Sequence, residues 1–234
     1  MTKRFINTFF IVTSLAMLTS PSAAMEIEVR PPYVVLSGNV TGIELRILKN
    51  AVDDNPGITT VVLKDSRGGD SRTSYLVAEY IRTKGLNTAA SGYCRSACAH
   101  MFLGGNVRSL SDDQELDKTY VAFHGTYDQD RNRMYATASS MKSWSIKYSD
   151  GKANPLLVDQ WVQIDIPRGF AYFYHPQATV DAGPQRVMVC KGTEEPDKRW
   201  QLCAKPEMGN ALDNGILTTL EIVKMNRPKE QSKP

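Results

Sequence analysis

Apolar residues change their spacing several times along this chain, and the changes mark out its elements. Across residues 42–52, Ile43, Leu45, Ile47, Leu48 and Val52 recur at helical spacing. Asn55-Pro56-Gly57 then stops the helix. Thr59-Thr60-Val61-Val62-Leu63 is β-branched and nearly all apolar, the pattern of a strand covered on both faces. A polar loop follows at 65–70. Residues 71–84 return to helical spacing, with Leu76, Val77, Tyr80 and Ile81 on the inner face and Gly85 placed as a C-cap. Beyond it the pattern predicts a strand over 87–90, a turn at Ser91-Gly92, an apolar helix opening at Ser96, and a strand over 120–123 that ends at His124. Upstream, 33–36 reads as a strand and 25–32 as an extended lead-in.

The stretch after His124 carries a weaker pattern. Residues 131–148 and 155–164 read as helices, with Trp144, Leu156, Leu157, Val158, Trp161 and Val162 as packing positions. The aromatic run at 169–175 suits a cover over the core or over a substrate groove. Residues 185–190 and 199–203 look like a hairpin, and 210–217 like a helix capped by Gly215 that enters a last strand. Alternating strands and helices predict an α/β domain with a largely parallel sheet. In such sheets, ligand-binding groups gather at the carboxyl ends of strands. The Gly68-Gly69 loop, the Ser96 turn and His124 each follow a strand, so three distant parts of the chain should meet at one sheet edge.

The first residues change the picture of where the protein works. Lys3 and Arg4 precede a mostly apolar stretch, 5–18, and Ser22-Ala23-Ala24 supplies small residues for cleavage. This is the layout of an export signal, giving a mature chain from about Met25 in the periplasm or outside the cell. The alternative is an uncleaved N-terminal anchor, for which the apolar run is short of the ~20 residues a span needs. The expected organisation is a signal at 1–24, one domain at 25–226 and a polar, disordered tail at 227–234. The whole chain holds 28 basic and 25 acidic residues. Two of the basic ones leave with the signal, so the mature chain is close to neutral. No basic run interleaved with aromatics points to nucleic acid.

An exported chain meets an oxidising compartment, where its four cysteines can pair in three ways. Cys190 and Cys203 bracket a polar insert and look like a bridge closing it. Cys94 and Cys98 flank Ser96; they can pair locally, or Cys98 can serve as a small buried apolar residue. The Cys-x3-Cys spacing, with no second Cys/His pair nearby, gives no metal site, and no cofactor motif is present.

The chemistry-bearing residues are Ser96, His124 and the Gly68-Gly69 loop. A serine at the start of an apolar helix sits among unpaired N–H groups and the positive end of the helix dipole, which favour an oxyanion. With His124 as base, and the N–H groups of Gly69 and Ala97 as oxyanion donors, Ser96 would be a nucleophile. Otherwise Ser96 is a helix cap, His124 a strand-end histidine and the glycine pair a tight turn. An active pair would show a rate rising through an apparent pKa of about 6.5, the ordinary histidine value. His100, one turn after Ser96, is expected to pack or hydrogen-bond elsewhere. His175 beside Pro176 suggests no partner.

These segments resemble the Clp-protease proteolytic subunit, within the crotonase superfamily, and more narrowly the exported Clp-protease-like proteins of bacteria. Residues 33–40 look like that family's first strand and turn. Residues 60–69 look like its strand and Ser-Pro-Gly-Gly oxyanion loop, with Arg67 in place of the proline. Ser96 followed by Gly104-Gly105 looks like the nucleophile helix, Phe123-His124 the strand that delivers the histidine, and 210–217 the late Ala-x-x-x-Gly-Leu segment. The resemblance implies a ClpP/crotonase-like fold carrying a disulfide-tied insert. It also implies a serine peptidase acting on a peptide or protein, with a homo-oligomer left open. An ATPase partner is not expected outside the cytoplasm. The third triad residue would fall between His124 and Asn210, where Asp165 is the first choice and Asp159 the second. Arg67 would either obstruct the oxyanion loop or hold a substrate carboxylate. A protein that keeps the fold for binding or scaffolding without turnover is the alternative class. A Ser–Lys mechanism would call on Lys118 or Lys142.

Overall fold

The computed structural model describes residues 24–225. The expected export signal, apart from Ala24, and the polar tail at 227–234 lie outside the described residues. The chain opens with two antiparallel strands, β1 (Glu26–Arg30) and β2 (Tyr33–Ser37), so the expected lead-in is itself a strand. Helix α1 (Glu44–Asp54), strand β3 (Thr60–Ser66), helix α2 (Ser71–Thr83), strand β4 (Asn87–Arg95) and the short helix α3 (Ala97–Leu103) follow. Then come β5 (Arg108–Leu110), β6 (Tyr120–Phe123), α4 (Ala138–Tyr148), α5 (Pro155–Val162), β7 (Phe170–Tyr174), β8 (Val187–Cys190) and a one-turn helix α6 (Arg199–Leu202).

One sheet of eight strands runs in the order β1-β2-β3-β4-β6-β7-β8, with β5 paired to β4 alongside β6. The pairs β2-β3, β3-β4, β4-β5 and β4-β6 are parallel; β1-β2, β6-β7 and β7-β8 are antiparallel. The parallel centre follows from the strand–helix alternation. Two-sided burial of β3 follows from its unbroken apolar run. Val61 and Leu63 enter the main core with Val77, Ile81 and Phe102, while Val62 packs on the other face with Val35, Ala89 and Met225. A second cluster forms around Tyr120, Tyr172, Tyr174, Met188 and the Cys190–Cys203 bridge. Among the described residues, no helix is long and apolar enough to cross a membrane.

Several boundaries differ from the sequence pattern. The expected turn at Ser91-Gly92 lies inside β4, which runs on to Arg95. Gly92 takes φ +66°, and a Cβ there would stand 2.1 Å from Asp65 Oδ1, so this glycine serves a close approach between neighbouring strands. Leu76 is 45% exposed although its spacing put it on the inner face of α2. Helix α4 begins at Ala138, because residues 126–134 fold back on themselves through the Tyr127–Arg133 bridge. The 169–175 run supplies β7, a fully buried strand. Residues 199–202 are helical; only Ala204 pairs with Val189 to complete the expected hairpin. Residues 210–217 form turns, and the expected last strand reduces to a single bridge from Val223 to Ser111.

Those C-terminal turns are held by a wholly buried arginine. Arg108 donates to the carbonyls of Gly105 and Gly215, and Nη2 also meets Asp150 at 2.7 Å. Asp150 is shared with Arg82, 2.9 Å away. Removing the guanidinium would strand two carbonyl acceptors without water, at a cost of about 1–3 kcal/mol each. Arg108→Met should therefore lower stability in urea by roughly 3 kcal/mol. Lys205→Ala, which breaks the exposed pair with Asp181, should cost less than about 1 kcal/mol. Equal costs at the two positions would contradict this account.

Candidate active site

The site is assembled where three parallel strands end. At the end of β3 the chain turns through Gly68 and Gly69, whose φ values are +94° and +141°. Gly68 lies against the start of α3: a Cβ there would stand 2.7 Å from both the Arg95 carbonyl and Ser96 Cβ, and 2.9 Å from Ala97 N. Gly69 lies against Val40 with still less room, 2.0 Å to its carbonyl. The Val40–Gly69 bridge uses the Gly68 carbonyl and the Asp70 N–H, and leaves the Gly69 N–H outside it. Val40 is fixed in turn by Glu44, whose buried carboxylate accepts from Thr41 N, Thr41 Oγ1 and Gly42 N. Burial opposes charge on Glu44, but those hydrogen bonds outweigh it and hold the carboxyl below its usual range.

Ser96 joins β4 to α3. Its N–H donates to the Ala122 carbonyl of β6 at 2.9 Å, and its backbone sits at φ +54°, ψ −122°. Such a conformation costs a non-glycine residue about 1–3 kcal/mol and persists only where the surroundings enforce it. The turn aims Ser96 Oγ at His124 Nε2, 2.7 Å away. The N–H groups of Ala97 and Cys98 fall in the first turn of α3, where no helical carbonyl precedes them.

His124 follows β6 directly and is 8% exposed. Its ring stacks on Phe170 with centroids 4.2 Å apart and tilts against Tyr127 at 4.9 Å. Burial pushes its pKa down to about 3. His100 adds to the fall, and the main chain at Pro167 and Gly169 acts weakly in the opposite direction. The ring is therefore neutral at ordinary pH. Its Nδ1 is buried and makes no hydrogen bond of acceptable geometry.

Asp165, the first choice to orient the imidazole, does not do so. It is 65% exposed and accepts from Arg133 Nη1 and Tyr135 Oη, both at 3.1 Å. Arg133 also donates to the Val162 carbonyl, so the 162–165 loop is tied to the 126–134 turn with its carboxylate outward. No sequence pattern announces that pairing. Asp159 is bound to Lys142 at 2.6 Å, and Lys118 pairs with Glu115. His100 is buried, 3.3 Å from Ser74 Oγ, and stacks on Tyr75. His175 reaches the Leu220 carbonyl and accepts from Gln177 N. Arg67 is exposed and, among the described residues, makes no hydrogen bond or ion pair, so its bulk does not fill the glycine loop. Both bridges, Cys94–Cys98 and Cys190–Cys203, are formed.

Ser96 and His124 line a cavity of about 170 Å³ together with Gly69, Gly125, Thr126, Tyr127 and Met141. A neighbouring cavity of about 300 Å³ shares Ser71, Thr126 and Met141 and extends to Tyr75 and Trp144. A roomier one, about 570 Å³ beside Gln163, Asp165 and Lys191, contains neither Ser96 nor His124. The Ser96–His124 contact, not the volume, makes the first the candidate site. Tyr127, Phe170 and Met141 contribute to it without any motif; the aromatic run containing Phe170 was the only trace in the sequence. Among the described residues, no three His, Cys, Asp or Glu side chains gather closely enough to hold a metal ion.

Among solved structures, ClpP1 from Listeria monocytogenes superposes with a TM-score of 0.50 at 11% identity, over 84% of this chain and 92% of that one. The chain has the ClpP/crotonase fold. A mutant of the membrane-bound stomatin-specific protease 1510-N aligns over 80% of this chain and 77% of that one, with a TM-score of 0.48 and 9% identity. No family model matches the chain, and no curated protein matches it significantly. Within the ClpP/crotonase fold, the glycine loop, the Ser96 turn and His124 occupy the ends of the adjacent parallel strands β3, β4 and β6.

Two histidines buried as neutral rings make stability depend on pH. His100 is pushed down to about 4 by burial, as His124 is to about 3. The unfolded chain binds their protons near pH 6.5 and the folded chain does not, so stability should fall as pH drops below about 6.5. Urea unfolding should report a loss of roughly 3–4 kcal/mol between pH 7 and pH 5, about half of it absent in His124→Gln. Carboxylates such as Glu44 and Asp150 would add their share only below about pH 4. A pH-independent midpoint over that range would refute the neutral, buried state of both rings.

Proposed function

We propose that this protein is an exported serine hydrolase acting on peptides or proteins, with Ser96 as nucleophile and His124 as general base. The observation that carries the reading is the 2.7 Å contact between Ser96 Oγ and a neutral His124 Nε2. In the proposed step, Oγ attacks an amide or ester carbonyl while Nε2 takes its proton. The oxyanion rests on the N–H groups of Gly69 and Ala97, at the positive end of α3. His124 then returns the proton to the leaving group, and water repeats the sequence on the acyl-enzyme. The cavity reaching Tyr75, Met141 and Trp144 suits an apolar side chain of the substrate. Two disulfides and no free cysteine support an oxidising compartment, as the export signal suggests.

A second reading, a binding protein that keeps the fold without turnover, draws on one feature. Among the described residues, no carboxylate meets His124 Nδ1 to hold an imidazolium. A fluorophosphonate probe decides between them, because it reports an activated serine without knowledge of the substrate. The mature protein should label at Ser96. Ser96→Ala and His124→Ala should each reduce turnover by about 10³-fold or more, and the double variant should be little worse than either. Asp165→Asn should change the rate less than about threefold, as expected of a surface carboxylate held by Arg133. Because burial lowers the His124 pKa, labelling should hold from pH 8 down to about 5 and not fall through the ordinary histidine range near 6.5. No labelling at any of these pH values would favour the binding protein. Labelling that survives Ser96→Ala would move the nucleophile elsewhere.

A further inference from the structure

We propose that the Cys94–Cys98 disulfide is a positioning device for the Ser96 turn, holding its backbone so that Oγ faces His124. The inference rests on the hydrolase reading above. The bridge brackets the nucleophile symmetrically, with one cysteine two residues before Ser96 and the other two residues after it. Their Cα atoms stand 5.2 Å apart. It therefore spans the one residue of this segment that is held at a positive φ without being glycine.

Apart from the Ser96 N–H bond to the Ala122 carbonyl and the Ser96 Oγ contact with His124, the turn is weakly held. The Ser96 side chain makes no capping hydrogen bond. The first helical bond, from His100 N to the Ser96 carbonyl, is long at 3.3 Å. Helix α3 has seven residues, too few to be stable by itself. On one side the turn rests on Gly68; on the other the bridge ties it down. Both cysteines are completely buried in the main core. Cys94 pairs in the sheet with Ser66 of β3 and Val121 of β6, so the bridge fastens the start of α3 to the rigid centre of the sheet.

Global stabilisation explains the bridge less well. Cys94 and Cys98 are four residues apart, whereas Cys190 and Cys203 are thirteen apart. The shorter loop constrains the unfolded chain less. Nor does a thiol-exchange switch fit, because neither sulfur is open to an attacking thiol.

The test compares two double variants with the wild type. Cys94→Ala with Cys98→Ala should stay folded and lower the fluorophosphonate labelling rate, and kcat on any peptide found to be cleaved, by roughly 10–100-fold. KM should change less than about threefold, because the defect lies in aiming the nucleophile and not in holding substrate. Amide exchange at residues 96–100 should accelerate while the β3 amides stay protected. Cys190→Ala with Cys203→Ala should lower the melting temperature and leave the rate per folded molecule within about twofold. If the alanine pair does not fold, Cys94→Val with Cys98→Ala refills the buried volume and carries the same expectations. Wild-type rate and exchange in the folded variant would overturn the clamp and leave the hydrolase reading standing. A wild-type protein that takes no label would instead overturn the hydrolase reading, and the clamp with it.

Discussion

The junction between β4 and α3 carries a steric constraint on which its neighbours depend. Ser96 turns the chain at φ +54° while its N–H reaches the Ala122 carbonyl. That geometry places the Arg95 carbonyl, Ser96 Cβ and Ala97 N under Gly68, where a single methyl group would not fit. The β3–α2 loop must then pass at glycine distance, which brings Gly69 down on Val40. Val40 can accept it because Glu44 gathers the N–H groups of Thr41 and Gly42 and fixes the turn that enters α1. A chain of close contacts thus runs from the first helix to the Ser96 turn, with two glycines at its tightest links. Backbone cannot rotate out of the way as a side chain can, so no residue with a Cβ fits at Gly68 or Gly69 without a shift of the main chain.

His124 is governed by a different force. Phe170 and Tyr127 flank its ring, and β6 delivers it at a buried strand end. Desolvation then keeps the ring neutral with one nitrogen turned to Ser96. In the Ser-His-Asp arrangement a buried carboxylate fixes the tautomer. Here the aromatic stack and the short Ser96 contact restrict the ring. The carboxylate nearest in sequence logic, Asp165, is drawn outward by Arg133 and Tyr135.

How far the sequence revealed this depends on the kind of interaction. Strand β3 was legible because two-sided burial forces a continuous apolar run. The Gly68-Gly69 loop was legible because close backbone approach leaves no residue but glycine. Ser96 and His124 stood out by their place after strands. The register inside β4 was hidden, since Gly92 signals a turn and in fact makes room for Asp65. The segment after His124 was hidden for another reason. Its shape is set by long-range side-chain pairing, Arg133 with Val162 and Arg108 with Gly215, and such contacts leave no periodic trace. The aromatic run of β7 could have been a groove wall as easily as a strand, and only its pairing with β6 and β8 decides.

The two borders of the sheet are finished differently. At β8 the outer strand is met by Ala204 and shielded by the Cys190–Cys203 insert. At β1, among the described residues, no strand lies beyond, and all five side chains from Glu26 to Arg30 are exposed. Ile27 and Val29 alternate there with Glu26, Glu28 and Arg30, and Glu28 meets Arg30 at 2.9 Å. An apolar ribbon of this kind would invite a second ribbon to zip onto it in a crowded compartment. The interleaved charges hold water along the margin and put like carboxylates face to face in many trial registers. Colloidal behaviour, and not only folding, is therefore written into the first five residues of the sheet.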